Sequence, residues 1–289
     1  VDGLRVNCIV QAALILVAAL VFMATGSTLD VDRGFVAFFL LLFGLLFIAV
    51  RVVRGQMLIL ACQGLIFFVV AGFCAGFTAL AALRAGAPLA DGRLDEWDHC
   101  LGVHTERVMA FFASFDVFNA VLGYIYQLTV PGIIVTILVL ALRQDRTGLC
   151  RMCFIFAVSA MICALFNLFL PASGSTIHHN LSLAVMRHFP AGAGVYFKVP
   201  FQVYHSRRMS VISPSSLSGV VAFPSFHAVM ALIELSFLKT NRFFNGIVFI
   251  FVMLVLLSAV LIGGHYLVDI IAGAVLFYGL DLLSRRVVR

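Results

Sequence analysis

Residues 243–283 read FFNGIVFIFVMLVLLSAVLIGGHYLVDIIAGAVLFYGLDLL. From Phe243 to Ile262 the run is apolar and long enough to cross a bilayer as a helix. Gly263 and Gly264 interrupt it, and a second apolar run goes from His265 to Leu283. The stretch predicts a hairpin of two membrane helices. Its polar break carries a histidine and, four residues on, Asp269.

The same pattern recurs along the chain. Apolar runs at Cys8–Thr25, Phe35–Val53, Met57–Leu83, Val117–Leu142, Met152–Leu170 and Val220–Leu238 bring the predicted spans to eight. They have helix length, unlike the alternating strands of about ten residues in a membrane barrel. Only helices and closed barrels satisfy every backbone group in lipid. The expected fold is therefore all-α, a polytopic membrane helical bundle of about eight spans. Composition agrees. Hydrophobic residues make up 63%, charged residues 11%, and mean hydropathy is +1.13. Soluble chains carry about 25% charged residues, so a water-soluble fold lacks the polar surface it needs. Disorder, collagen-like repeats and disulfide scaffolds are excluded on the same grounds. The first run, with Arg5 ahead of it, has features of a signal peptide. Its apolar stretch is long for one, and it reads as a helix.

Alternating the spans puts eleven of the 19 Lys and Arg residues on the side of both termini, in short loops and tails. The positive-inside rule makes that side cytoplasmic. The other eight face outward, four of them in the long segment Pro171–Phe223. This anchoring accounts for the basic pI of about 9.1, so no nucleic-acid partner is required. A multi-pass protein of a bacterial inner membrane, with its site on the periplasmic side, is the expected setting. Cys150 and Cys153 form a C-x-x-C without a second pair. Like the other cysteines they read as small apolar residues, and no metal or cofactor is expected.

Two segments do not span. Asp91–Phe112 places Leu94, Trp97, Leu101, Val108 and Phe111 at roughly helical spacing with acids between them. It predicts one amphipathic helix on the outer interface, with Trp97 at headgroup level. Pro171–Phe223 is a long loop of the kind that usually carries function.

Ionisable groups inside spans are costly and mark candidate sites. Five fall within or at the ends of the last three spans: His227, Glu234, His265, Asp269 and Asp281. His227 and His265 open two spans on the same outer side. A carboxylate four residues beyond His265 can hold one ring nitrogen and support positive charge on the ring, which suits the other nitrogen to attack. His227 follows Phe223-Pro224-Ser225-Phe226, a pattern that starts a helix. Helix starts attract phosphate, and Gly264 lets backbone approach a ligand. Phosphoryl transfer through a phosphohistidine fits this set, with one histidine attacking phosphorus and the other protonating the leaving alkoxide. Two other classes use the same residues. A lipid transporter or scramblase would line a substrate path with them, and a haem or metal protein would use the histidines as ligands. Glu234 is expected to face the bundle with a partner, outside the chemistry.

The strings FPSFHA and GGHYLVDIIAG together resemble the second and third signature motifs of the type 2 phosphatidic acid phosphatase superfamily. Pro224-Ser225-Phe226-His227 is similar to its P-S-G-H motif. Ser258, His265 and Asp269 are similar to its S-R-x5-H-x3-D motif, with Ala259 in place of the arginine. Its K-x6-R-P motif is not found, although Lys198 lies in the right region. These departures resemble the branch that contains the aureobasidin-sensitive inositol phosphorylceramide synthase. The Leu170–Gly174 stretch and the Asp95–Gly102 segment are similar to that branch as well. The resemblance covers Gly219–Gly273 strongly and Pro88–Gly219 weakly. It implies a six-helix catalytic core in residues 87–289, preceded by further membrane helices in 1–86. It also implies His265 as nucleophile, Asp269 as its orienting partner and His227 as acid, then base. Ser225, Gly264, Arg208, Arg207 and Lys198 are the expected phosphate-binding residues. The implied substrate is a membrane phospholipid or lipid phosphate, with water or an alcohol such as a ceramide-like lipid as acceptor.

Overall fold

The computed structural model describes residues 2–217, 219–220 and 223–288. The chain is almost entirely helical. Long helices are α1 (Gly3–Thr25), α2 (Arg33–Ile48, continued by a π turn over Ala49–Val53) and α3 (Gln56–Leu83). Short helices α4 (Asp91–Cys100) and α5 (Thr105–Phe112) precede the long α6 (Asp116–Leu142) and α7 (Arg146–Phe166). The outer segment holds α8 (Ser175–His178), α9 (Leu183–Met186) and α10 (Lys198–His205). Then follow α11 (Phe226–Phe237), α12 (Arg242–Leu261) and α13 (Leu267–Val287). Two residue pairs make a small parallel ladder, β1 (Thr28–Leu29) on β2 (Val211–Ile212).

Among the described residues seven helices are long and apolar enough to cross a membrane, one fewer than the sequence predicts. The difference is α11. The predicted span Val220–Leu238 shrinks to 12 residues, about 18 Å of helix, which is short of the ~30 Å hydrocarbon core. Pro224 brings no N–H, and the Ser225 hydroxyl accepts from the Ala228 amide, so the helix starts at Phe226. Val221 and Ala222, part of the predicted span, lie outside the described residues.

The short helix sits at the centre. α11 packs against α6, α7, α12 and α13, and its buried face (Val229, Met230, Ile233) joins the main core with Ile133, Ile155 and Phe277. α3 lies along α7, and α1 covers both. α2 is peripheral and buries no residue fully. It holds on through Phe35 and Phe39, which pack on Phe73 and Phe77 of α3. At one end of the bundle Asp2 meets Arg146, and Asp281 sits between Arg151 (2.6 Å) and Arg285 (2.7 Å). Those pairs bring both termini to the same end and account for Asp281.

The other end is capped by the segment predicted as one amphipathic helix. It is two helices, because Gly102 takes φ +77° and ends the first. Leu94 is buried and Trp97 half exposed, as an interfacial helix requires. The acids are the correction. Asp91 and Asp98 are buried and serve as caps for other segments. Asp98 accepts from the amides of Leu267 (2.7 Å) and Val268 (2.8 Å), the first two residues of α13. Burial pushes the Asp98 carboxyl up from its ordinary range, and those two amides pull it back. Asp91 accepts from the amides of Ser173 and Gly174 (both 2.9 Å) and from the Tyr266 hydroxyl (3.1 Å). Burial and the neighbouring Asp91 push that phenol up, so it stays a donor.

Asp98→Ala leaves two amides of a helix start without acceptors and is expected to cost about 2–4 kcal/mol. Thermal unfolding of the detergent-solubilised protein reads this as a clear fall in Tm, with Asp98→Asn in between.

Candidate active site

Four pieces of chain converge beneath this cap. They are the α12–α13 turn, the start of α11, the Ser173–Thr176 stretch and the middle of α6.

The turn positions His265. Gly264 has φ +76° and its carbonyl accepts from the Ser175 amide (2.8 Å) and hydroxyl (3.1 Å). The Gly194 amide donates to Ile262 (2.6 Å), and the His265 amide to Ala259 (3.1 Å). A Cβ on Gly174 would come within 2.8 Å of the Gly264 carbonyl, so two glycines must meet here. His265 lies just ahead of α13, whereas the sequence places it on the helix. Asp269 is the third residue of α13 and its carboxylate reaches back. One oxygen accepts from the Tyr266 amide (2.9 Å) and from His265 Nδ1 (3.2 Å). The imidazole is thus held with Nδ1 toward the acid, and Nε2 has no hydrogen-bond partner among the described residues. Both side chains are buried, and the other oxygen of Asp269 has no hydrogen-bond partner among the described residues.

His227 stands in the first turn of α11. The Ser225 amide donates to the Asp269 carbonyl (2.9 Å), which ties the start of α11 to that of α13. A Cβ on Gly273 would sit 2.4 Å from the Ser225 carbonyl, so only glycine permits this approach. The His227 and His265 rings lie 5.8 Å apart at 65°. On its other face His227 stacks on Tyr126 of α6, with centroids 4.3 Å apart at 22°. The Tyr126 hydroxyl bonds that of Tyr196 (2.9 Å).

The structure thus brings together His265, Asp269, His227, Ser225 and Gly264. The predicted cations are placed less uniformly. Arg207 gives its guanidinium to the carbonyls of Arg84 (2.9 Å) and Ala85, so it caps the end of α3. Arg208 and Lys198 are exposed. Lys198 opens α10, two residues beyond Tyr196. Ala259, at the position of the motif arginine, is fully buried with Ala228 and Ile270. Amides near Gly264 were expected to hold phosphate, yet those of Tyr266, Leu267 and Val268 are already taken by Asp269 and Asp98.

Other polar residues around the site have plain roles. His179 bonds Asp95 (2.9 Å), and His205 bonds the Ala87 carbonyl (2.9 Å). Glu234 faces the bundle as expected, but neither carboxylate oxygen has a hydrogen-bond partner among the described residues. Among those residues no group of three or more His, Cys, Asp or Glu is arranged to hold a metal ion. Sequence reasoning missed Tyr126, Thr176, Asp91 and Asp98 as site builders. The Thr176 hydroxyl is buried beside Gly194 with no hydrogen-bond partner among the described residues. For the acids a signal existed: Asp91, Leu94 and Asp98 share one helical face, which marks the two carboxylates as turned inward.

No curated protein and no solved structure matches the chain at significance. A family model does. That of the PAP2 superfamily matches residues 93–282, about two thirds of the chain, and includes His227, His265 and Asp269. The chain belongs to the PAP2 superfamily.

Proposed function

We propose that this protein is a membrane-embedded phosphatase or phosphotransferase that cleaves a phosphoester of a lipid through a phosphohistidine. Membership of the superfamily supports a phosphatase-type enzyme acting on lipid phosphates. The observation that carries the mechanism is the buried His265–Asp269 pair with a second imidazole 5.8 Å away.

Asp269 holds Nδ1–H, so the lone pair of Nε2 is the nucleophile. Nε2 attacks phosphorus, the P–O bond to the lipid alkoxide breaks, and His227 delivers a proton to that oxygen. Then water or an alcohol attacks the phosphorus. His227 takes its proton and the N–P bond breaks. Asp269 stabilises the positive ring in both steps without giving up a proton. The Ser225 hydroxyl accepts from Ala228 and keeps its own hydrogen for a phosphate oxygen. Lys198 supplies positive charge, since Arg207 is committed to α3. The nucleophile is a side chain, so the chemistry needs no metal. With water as acceptor the enzyme is a phosphatase. With an alcohol it is a transferase like the ceramide-directed branch it resembles. The cationic loops set the termini in the cytoplasm and the site at the outer leaflet.

His265→Ala is expected to abolish release or transfer of phosphate from a mixed phospholipid extract, read by mass spectrometry of the products. Full activity in this variant overturns the mechanism. EDTA leaves the wild-type rate unchanged. Asp269→Asn lowers kcat by about 10²–10⁴-fold, as expected when the partner of a catalytic imidazole is neutralised. In His227→Ala an acid-labile phosphoryl group accumulates on His265 when the leaving group needs no proton, which intact-protein mass spectrometry detects. Lys198→Ala lowers kcat/KM about tenfold, whereas Arg207→Ala lowers Tm.

A further inference from the structure

A cavity of about 260 Å³ opens beside His227. Its walls are Gly72, Gly76 and Ala79 of α3 with Ala160 and Cys163 of α7, and His227 closes one end. The residues on α3 recur at helical spacing, so one face of that helix is kept small. Space, not contact, fills the gap. Among the described residues a Cβ built on Gly72 meets nothing within 4 Å, and one on Gly76 first meets Leu217 at 3.0 Å.

Two facts point to the occupant. Among the described residues of the lining, only His227 and the weakly polar thiol of Cys163 offer a side chain that forms hydrogen bonds, so a polar ligand would lose its water with little compensation. The end at His227 joins the cavity to the place where the phosphate ester must lie.

We infer that this cavity binds one hydrocarbon chain of the lipid substrate, and that α3, which precedes the family match at residue 93, selects the chain. The inference rests on the phosphoester reading for the identity of the lipid, while the groove itself does not. α3 is fixed for this task at its outer end. Arg84 donates to the carbonyls of Met209 and Thr25, Arg207 caps Arg84 and Ala85, and β1 pairs with β2. These ties also hold the strand that leads to Leu217 and the start of α11.

The test uses the full chain in lipid nanodiscs and a phosphatidic acid with a diazirine at the end of one acyl chain. Illumination is expected to label α3 and α7 between Gly72–Ala79 and Ala160–Ala164. Gly72→Leu, which fills the open space, is expected to cut that labelling at least fivefold. Labelling confined to the exposed faces of α6 and α12, and unmoved by Gly72→Leu, overturns the inference. In a parallel assay the ratio of kcat/KM for dioleoyl over dibutanoyl phosphatidic acid is expected to fall about tenfold in Gly72→Leu. An unchanged ratio, with the variant folded by its thermal transition, also overturns it. If the wild type hydrolyses neither lipid while groove labelling persists and responds to Gly72→Leu, the groove stands and the phosphoester reading falls.

Discussion

A helix that begins at the rim of a membrane bundle presents amides that its own turns do not satisfy, in a setting with little water to satisfy them. At α13 the solution is two carboxylates. Asp98 of α4 takes the amides of Leu267 and Val268, and Asp269 takes that of Tyr266. The cap α4 is seated by the same contacts, and Asp91 extends the clamp to Ser173, Gly174 and the Tyr266 phenol. The oxygen of Asp269 that accepts from Tyr266 also faces Nδ1 of His265. One requirement of backbone hydrogen bonding therefore orients the imidazole of His265. It also uses up the anion-binding capacity of the α13 start, which leaves the start of α11 for the phosphate of the proposed reaction.

Most of the bundle was legible in the chain, because long apolar runs in lipid have one regular solution. The short helix was not legible by hydropathy, since Val220, Val221 and Ala222 continue the apolar run across the point where α11 begins. The local chemistry said otherwise: Pro224 and Ser225 are start signals, and they won. The pairing of His265 with Asp269 was legible from a spacing of four, yet it arises from a side chain reaching back over a helix start. The acids of α4 were misassigned because a charged residue on an amphipathic segment normally faces water. Tyr126 left no trace in the sequence. A tyrosine in a membrane helix shows no partner until the helices are assembled. Of the cations, Arg207 is tied elsewhere for a related reason. Arg207 is as basic as any phosphate ligand, but its guanidinium satisfies the last carbonyls of α3, a demand that spacing does not reveal.

The two helices that frame His227 show how an apparent defect sets geometry. α6 and α11 run side by side in the same direction from the capped end. Near that end Tyr126 of α6 stacks on His227 of α11. Six residues further along α6 stands Gly132, and seven residues further along α11 stands Glu234. These meet as well: a Cβ on Gly132 would lie 2.3 Å from a Glu234 oxygen, so glycine makes room for the acid's head. At 1.5 Å per residue both intervals are about 10 Å, so the two contacts form a matched pair of rungs. Pro131 removes one internal hydrogen bond of α6 beside the lower rung, which lets the helix adjust there. A buried acid without a hydrogen-bond partner among the described residues is costly, and any side chain at 132 would have to displace its carboxylate. The acid and the glycine thus make a second close contact between α6 and α11, about 10 Å along from the one that stacks Tyr126 on His227.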